Sequence, residues 1–210
     1  RDSNMNAVNP QVVLQPLAGD GRLALPMQEL MARVLREARQ RQLSQLMIVG
    51  VARRVGATFI AQQAAEELAA AFGQVLVVEV RADVSDDEGL DGDLQRLRIP
   101  GQAVARVSLS LNTCLRLFGL GGDDTQEAFS HLREQFALVL WDMPPPTVSP
   151  VSMVAAKCMD GVVLVAHANR TRRQVARYVS QRLQESGGEL LGVVLNRTIN
   201  FIPEWLYRWL

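Results

Sequence analysis

Strand-like apolar runs recur along the chain at LMIVGV (46–51), VLVVEV (75–80), VARVSLS (104–110), FALVLWD (136–142), GVVLVAHA (161–168) and LLGVVLN (190–196). They are continuous rather than alternating, the pattern of strands covered on both faces. Helix-length segments separate most of them, at 57–72, 124–135, 147–158 and 171–186, and residues 27–42 repeat apolar positions at helical spacing. Strands alternating with helices predict a three-layer α/β domain with a mainly parallel sheet and crossover helices. Its central strands are expected at 46–51, 75–80, 137–142, 161–166 and 190–195. Residues 1–26 mix Asn, Pro, Gly and Gln and read as a flexible N-terminal arm, leaving 27–210 as one domain. The stretch 83–103 is polar and irregular and reads as a surface excursion.

Composition narrows the picture only a little. The 210 residues are 48% hydrophobic, enough for one domain with a sizeable core. Acidic and basic residues balance at 22 each, so no overall field points to nucleic acid. Cys114 and Cys158 make neither a metal spacing nor a disulfide framework, which suits a reducing compartment. No apolar run reaches the length of a membrane span, and no signal peptide is visible. The chain opens on Arg1, as an excised piece of a longer protein or a processed one does.

The candidate chemistry lies where the first strong strand meets an alanine-rich helix, in MIVGVARRVGATFIAQQAAEE. Phosphate-binding loops use glycines so that successive backbone N–H groups face the phosphates. A lysine then reaches the terminal phosphates, and the next Ser or Thr hydroxyl holds Mg²⁺. Here Gly56 and Thr58 stand at the last glycine and hydroxyl positions, but the lysine position holds Ala57 and the first glycine position holds Val51. Arg53 and Arg54 at the loop tip offer guanidinium groups suited to phosphate; solvated loop arginines are the plainer reading. Asp142, at the end of a strand, reads either as a metal ligand or as a cap on the turn before the prolines. Glu79 and Arg81 fall on one strand face and read as a structural ion pair. His131 and His167 stand apart from any ligand cluster and read as ordinary structural residues.

The order of strand, GATF loop, helix, QVLVVEVRAD, QFALVLWDMPPP and DGVVLVAHANRTRRQVARYVSQRLQESGGELLGVVLNR resembles the cytoplasmic domain of bacterial tyrosine kinases. Those are deviant P-loop ATPases that act with membrane chain-length regulators in exopolysaccharide and capsule export. The resemblance covers about residues 28–200 and implies a P-loop NTPase-like fold. It also implies a vestigial nucleotide site at Arg53, Arg54, Gly56, Thr58 and Asp142, with Thr58 and Asp142 as metal ligands only if Mg-nucleotide binds. Several family features are altered. The lysine is Ala57, the second strand's acidic pair falls at Glu79 and Arg81, the hydroxyl residue after Asp142 is Met143, and the tyrosine cluster is absent, leaving Tyr178 and Tyr207. Phosphoryl transfer depends almost wholly on positioning and electrostatics, so these losses imply a non-catalytic domain with no bound cofactor.

Two further features point to interaction. Arg33, Leu35 and Arg36 resemble the arginine-bearing helix through which family members pack into rings, although Glu29 sits one residue off register. At the C-terminus Ile202, Trp205, Leu206 and Trp209 form one helical stripe, which packs on the body or docks to a partner or the membrane interface. The arginines of NRTRRQVARY read as a solvated helix face, or as a docking surface for an acidic partner. The expected setting is cytoplasmic and peripheral at the inner membrane, with a polysaccharide co-polymerase or other export component as partner and homo-oligomers possible. Competing readings are an ATPase in which Arg53 or Arg54 replaces the lysine, binding Mg-ATP or ADP weakly, and a degenerate polar-localisation ATPase.

Overall fold

The computed structural model describes residues 11–13, 32, 34, 36, 37, 40, 43–83, 103–119 and 123–196. Among these, seven strands form one all-parallel sheet: β1 (Gln11–Val13), β2 (Gln45–Gly50), β3 (Val75–Arg81), β4 (Val104–Ser110), β5 (Leu138–Met143), β6 (Gly161–His167) and β7 (Leu190–Asn196). Their order across the sheet is β1-β7-β6-β2-β5-β3-β4. The helices are α1 (Ala57–Phe72), α2 (Leu111–Gly119), α3 (Asp123–Gln135), α4 (Val151–Ala156) and α5 (Arg173–Glu185). Residues 32, 34, 36, 37 and 40 are also helical, and Val34 there is fully buried.

Every residue of β2, β5 and β6 is buried. Their side chains point alternately to the two faces, so both faces of the central sheet are covered. This is the three-layer α/β arrangement that the apolar runs imply, and it agrees with the P-loop NTPase-like fold implied by the resemblance. α1 packs on β2, β3 and β5 through Ile60, Ala61, Ala64, Ala65 and Leu68. α2 packs on β4 and β3 and also against α3 and α4, and α4 packs against α5. Trp141 anchors the core: its indole N–H donates to Gln45 Oε1 at 2.8 Å, and the rings of Phe118 and Phe129 lie 5.1 and 6.1 Å away.

The amino edge of the central strands is tied by Asp160, whose Oδ2 accepts from Ser44 N, Gln45 N and Ser44 Oγ at 2.8, 2.8 and 3.0 Å. Arg133 Nε donates to the same hydroxyl at 2.8 Å. These bonds fix the start of β2 beside β6, and hence the height at which β2 releases the loop at its other end.

Several expectations need correction. A helix absent from the expected set follows VARVSLS: α2 begins at once at Leu111, with Ser110 Oγ accepting from Thr113 N at 3.0 Å as its cap. The helix expected at 147–158 is only Val151–Ala156, because Pro144–Pro146 and Pro150 hold the preceding chain in turns. Within the stretch read as an arm, residues 11–13 pair with β7 as a short edge strand.

Candidate functional site

Between β2 and β3 the chain passes over β5, and after β5 it crosses to β6 on the other side of β2. Such a switch of direction leaves a crevice at the carboxyl ends of the strands. There a cavity of about 430 Å³ opens between the loop 50–58, the ends of β3 and β5, and Pro144–Pro145.

The loop leaves β2 at Gly50, where an added Cβ would come within 2.6 Å of Val55 Cγ2. Val51 N donates to Val165 O at 2.9 Å, which keeps the loop on the sheet as it turns. Arg54 adopts φ 61° and Gly56 φ 90°, left-handed conformations that glycine tolerates and arginine adopts at a cost. Gly56 is also pinned by space: a Cβ there would fall on Asn196 Nδ2, which donates to Val55 O at 2.9 Å. The last strand therefore clamps the loop from the side. Ala57 begins α1, and Arg53, Arg54 and Thr58 are exposed along the cavity.

On the opposite wall stand Asp142 from β5 and Glu79 and Arg81 from β3. Asp142 is 8% exposed. Burial pushes its carboxyl up to about 6; a hydrogen bond with Thr58 opposes the rise, and the charge of Glu79 adds to it. Arg81 pairs with Asp83 through two hydrogen bonds of 2.9 and 2.7 Å, and reaches Glu79 only at 4.0 Å. The expected Glu79–Arg81 pair is thus present at the limit of contact, with Asp83 as the main partner of Arg81. Glu79 also accepts from Gln62 Nε2 at 3.3 Å.

All five residues of the expected nucleotide site, Arg53, Arg54, Gly56, Thr58 and Asp142, line this one cavity. Arg36 is exposed and does not line it. Arg33, Ile202, Trp205, Leu206 and Trp209 lie outside the described residues. Sequence reading missed Asn196 as the loop's clamp and Asp83 as the partner of Arg81. An amide or carboxylate just past an apolar strand was the signal available, but its target is set by the fold. Among the described residues, no group of three or more His, Cys, Asp or Glu is placed to hold a metal. Thr58, Asp142 and Glu79 bring side-chain oxygens to the wall of the cavity.

No family model matches the chain. A stretch of 66 residues is 29% identical to the tyrosine-protein kinase CpsD of Streptococcus agalactiae, which is 31% of this chain and 29% of that protein. The similarity thus spans less than a third of that relative's length. Among solved structures, the chimerical protein CapA2B2 superposes with a TM-score of 0.72 at 16% identity, over 90% of this chain and 94% of that one. The kinase domain of the Escherichia coli tyrosine kinase ETK gives 0.64 at 19%, over 86% and 78%. An ADP-bound nucleotide-binding protein of Archaeoglobus fulgidus gives 0.50 at 16%, over 79% and 70%. At such identities the likeness is one of fold. It extends to bacterial tyrosine kinase domains and to other nucleotide-binding proteins of the same architecture.

Proposed function

We propose that this chain is a catalytically degenerate relative of bacterial tyrosine kinase domains that works by binding, as a partner or regulator of exopolysaccharide or capsule polymerisation and export. The observation that carries the reading is Ala57. A methyl group stands at the head of α1 where phosphoryl transfer needs an ammonium on the terminal phosphates. The opposite wall agrees. Arg81 takes the place of a carboxylate and is neutralised by Asp83, and Asp142 is held in surroundings that disfavour its charge.

A Mg-nucleotide fits these residues poorly. Thr58 and Asp142 could ligate the ion, but burial works against the charge of the carboxylate, and the loop offers no lysine. The domain is therefore assigned no resident cofactor. Its partner on this reading is a membrane chain-length regulator or another export component, and its place is the cytoplasmic side of the inner membrane, with self-association through Arg33 and Arg36 as an added contact. Among the described residues no helix is long and apolar enough to cross a membrane.

The test is incubation of the purified chain with Mg-ATP followed by mass spectrometry of Tyr178 and Tyr207. Both are expected unmodified, and phosphate on either would refute the non-catalytic reading. The competing reading, an atypical ATPase, draws on the exposed Arg53 and Arg54 at the cavity mouth as replacements for the lysine.

A further inference from the structure

Residues 161–184 carry five arginines and no Asp or Glu, in a chain whose charges otherwise cancel at 22 against 22. The fold concentrates this excess. Because the strands are all parallel, the segments leaving β2 and β6 emerge at the same sheet edge, and β2 and β6 are neighbours. Arg53 and Arg54 follow β2, while Arg170, Arg172 and Arg173 follow β6 and lead into α5, whose outer face adds Arg177. All six are exposed. Among the described residues none of them forms an ion pair, whereas Arg182, further along α5, pairs with Glu185 at 3.6 Å. The carboxylates of Glu79, Asp83 and Asp142 lie on the other flank, over β3 and β5.

Nothing in the packing calls for these arginines. α5 buries only Val179 and Leu183 and has no acidic residue in its first turn, where cations are electrostatically disfavoured. Its outer face also exposes Val175 at 41% and Tyr178 at 62%. No residue of α5 lines the cavity, and a helix on the outside of a sheet presents a ridge rather than a groove. Peptide ligands need a groove or a free strand edge for their anchors. A convex, guanidinium-rich surface with a tyrosine among its charges complements a broad anionic plane instead.

We infer that the arginine flank formed by the loop after β2, the loop after β6 and the outer face of α5 docks this chain onto anionic phospholipid bilayers. The inference is independent of whether the cavity binds nucleotide.

Vesicle co-sedimentation of the whole chain tests it, using phosphatidylcholine alone and a two-to-one mixture of phosphatidylcholine with phosphatidylglycerol. Binding is expected on the mixed vesicles only, and is expected to be lost at high salt. The Arg172→Gln/Arg173→Gln/Arg177→Gln variant should bind on the order of a hundredfold more weakly, and its melting curve shows whether it is folded. Arg106→Gln, on β4 at the far edge of the sheet, should bind like the parent. If the triple variant fails to fold, the salt and lipid dependence of the parent decides. Equal binding to neutral vesicles, parent-like binding by the folded triple variant, or capture of polyglutamate without vesicle binding would each overturn the inference; the last would point to an acidic protein partner.

Discussion

At Asp142 the fold retains a carboxylate that it solvates poorly. Its pKa of about 6 lies above the ordinary 3.8, so between those values the folded chain holds a proton that the unfolded chain releases. The stability linked to this group is complete below about pH 4, falls as pH rises toward 6, and is flat above that. Asp142→Asn removes the charge while leaving an oxygen to accept from Thr58. In metal-free buffer it should raise stability above pH 7 by up to about 3 kcal/mol and by almost nothing near pH 4. Urea denaturation at the two pH values checks this, and an equal effect at both would contradict it. Gly56 poses a second test at this scale. Gly56→Ala meets both a left-handed backbone and the amide of Asn196, and should cost about 1–3 kcal/mol. Asn196→Ala should cost about 1 kcal/mol. The double variant should cost less than the sum, because removing the amide clears the space; strict additivity in urea melts would argue against the clamp.

Elements were legible where burial on both faces leaves an unbroken apolar run. β2, β3, β5, β6 and β7 lie within a residue of their expected bounds, and α1 coincides with 57–72. α2 was hidden because it follows β4 without a turn. Its start signal is the hydroxyl of Ser110, which reads equally well as the last residue of a strand. α4 is shorter than its apolar pattern predicts because the prolines before it hold the chain in turns. For the site, the loop residues were legible from their spacing along one segment, and Asp142 from its strand end. Asn196 was not, since it meets the loop through a strand order that no short sequence window contains; Asp83 lies two residues from Arg81, but only the turn of the chain after β3 brings the two side chains together. The packing between elements makes its own prediction. Trp141, buried between β2 and the α2–α3 pair with Gln45 and two phenylalanines as neighbours, should cost about 3–5 kcal/mol when replaced by alanine. Thermal melting checks it, and a loss under about 1 kcal/mol would mean that the aromatic cluster is not the anchor of that face.

For the whole molecule, the fold is an α/β arrangement that nucleotide-binding proteins share, and on the proposed reading the residues in its crevice are ill suited to phosphoryl transfer. The cavity persists because the strand order creates it, whatever side chains occupy its rim. On this account function has moved outward, to surfaces such as the arginine flank, and the C-terminal tryptophan stripe read from the sequence is a further candidate for contact. Replacing both Trp205 and Trp209 with alanine should weaken partner or membrane association with little change in melting temperature; a large drop in melting temperature with association intact would reject that role. The central claim, that the crevice no longer catalyses, is tested most directly by phosphate release from Mg-ATP. It is to be followed for the parent chain and for Arg53→Ala and Arg54→Ala. The account predicts release at the enzyme-free background for all three. Turnover on the order of 1 s⁻¹ or faster, abolished by either arginine substitution, would contradict it.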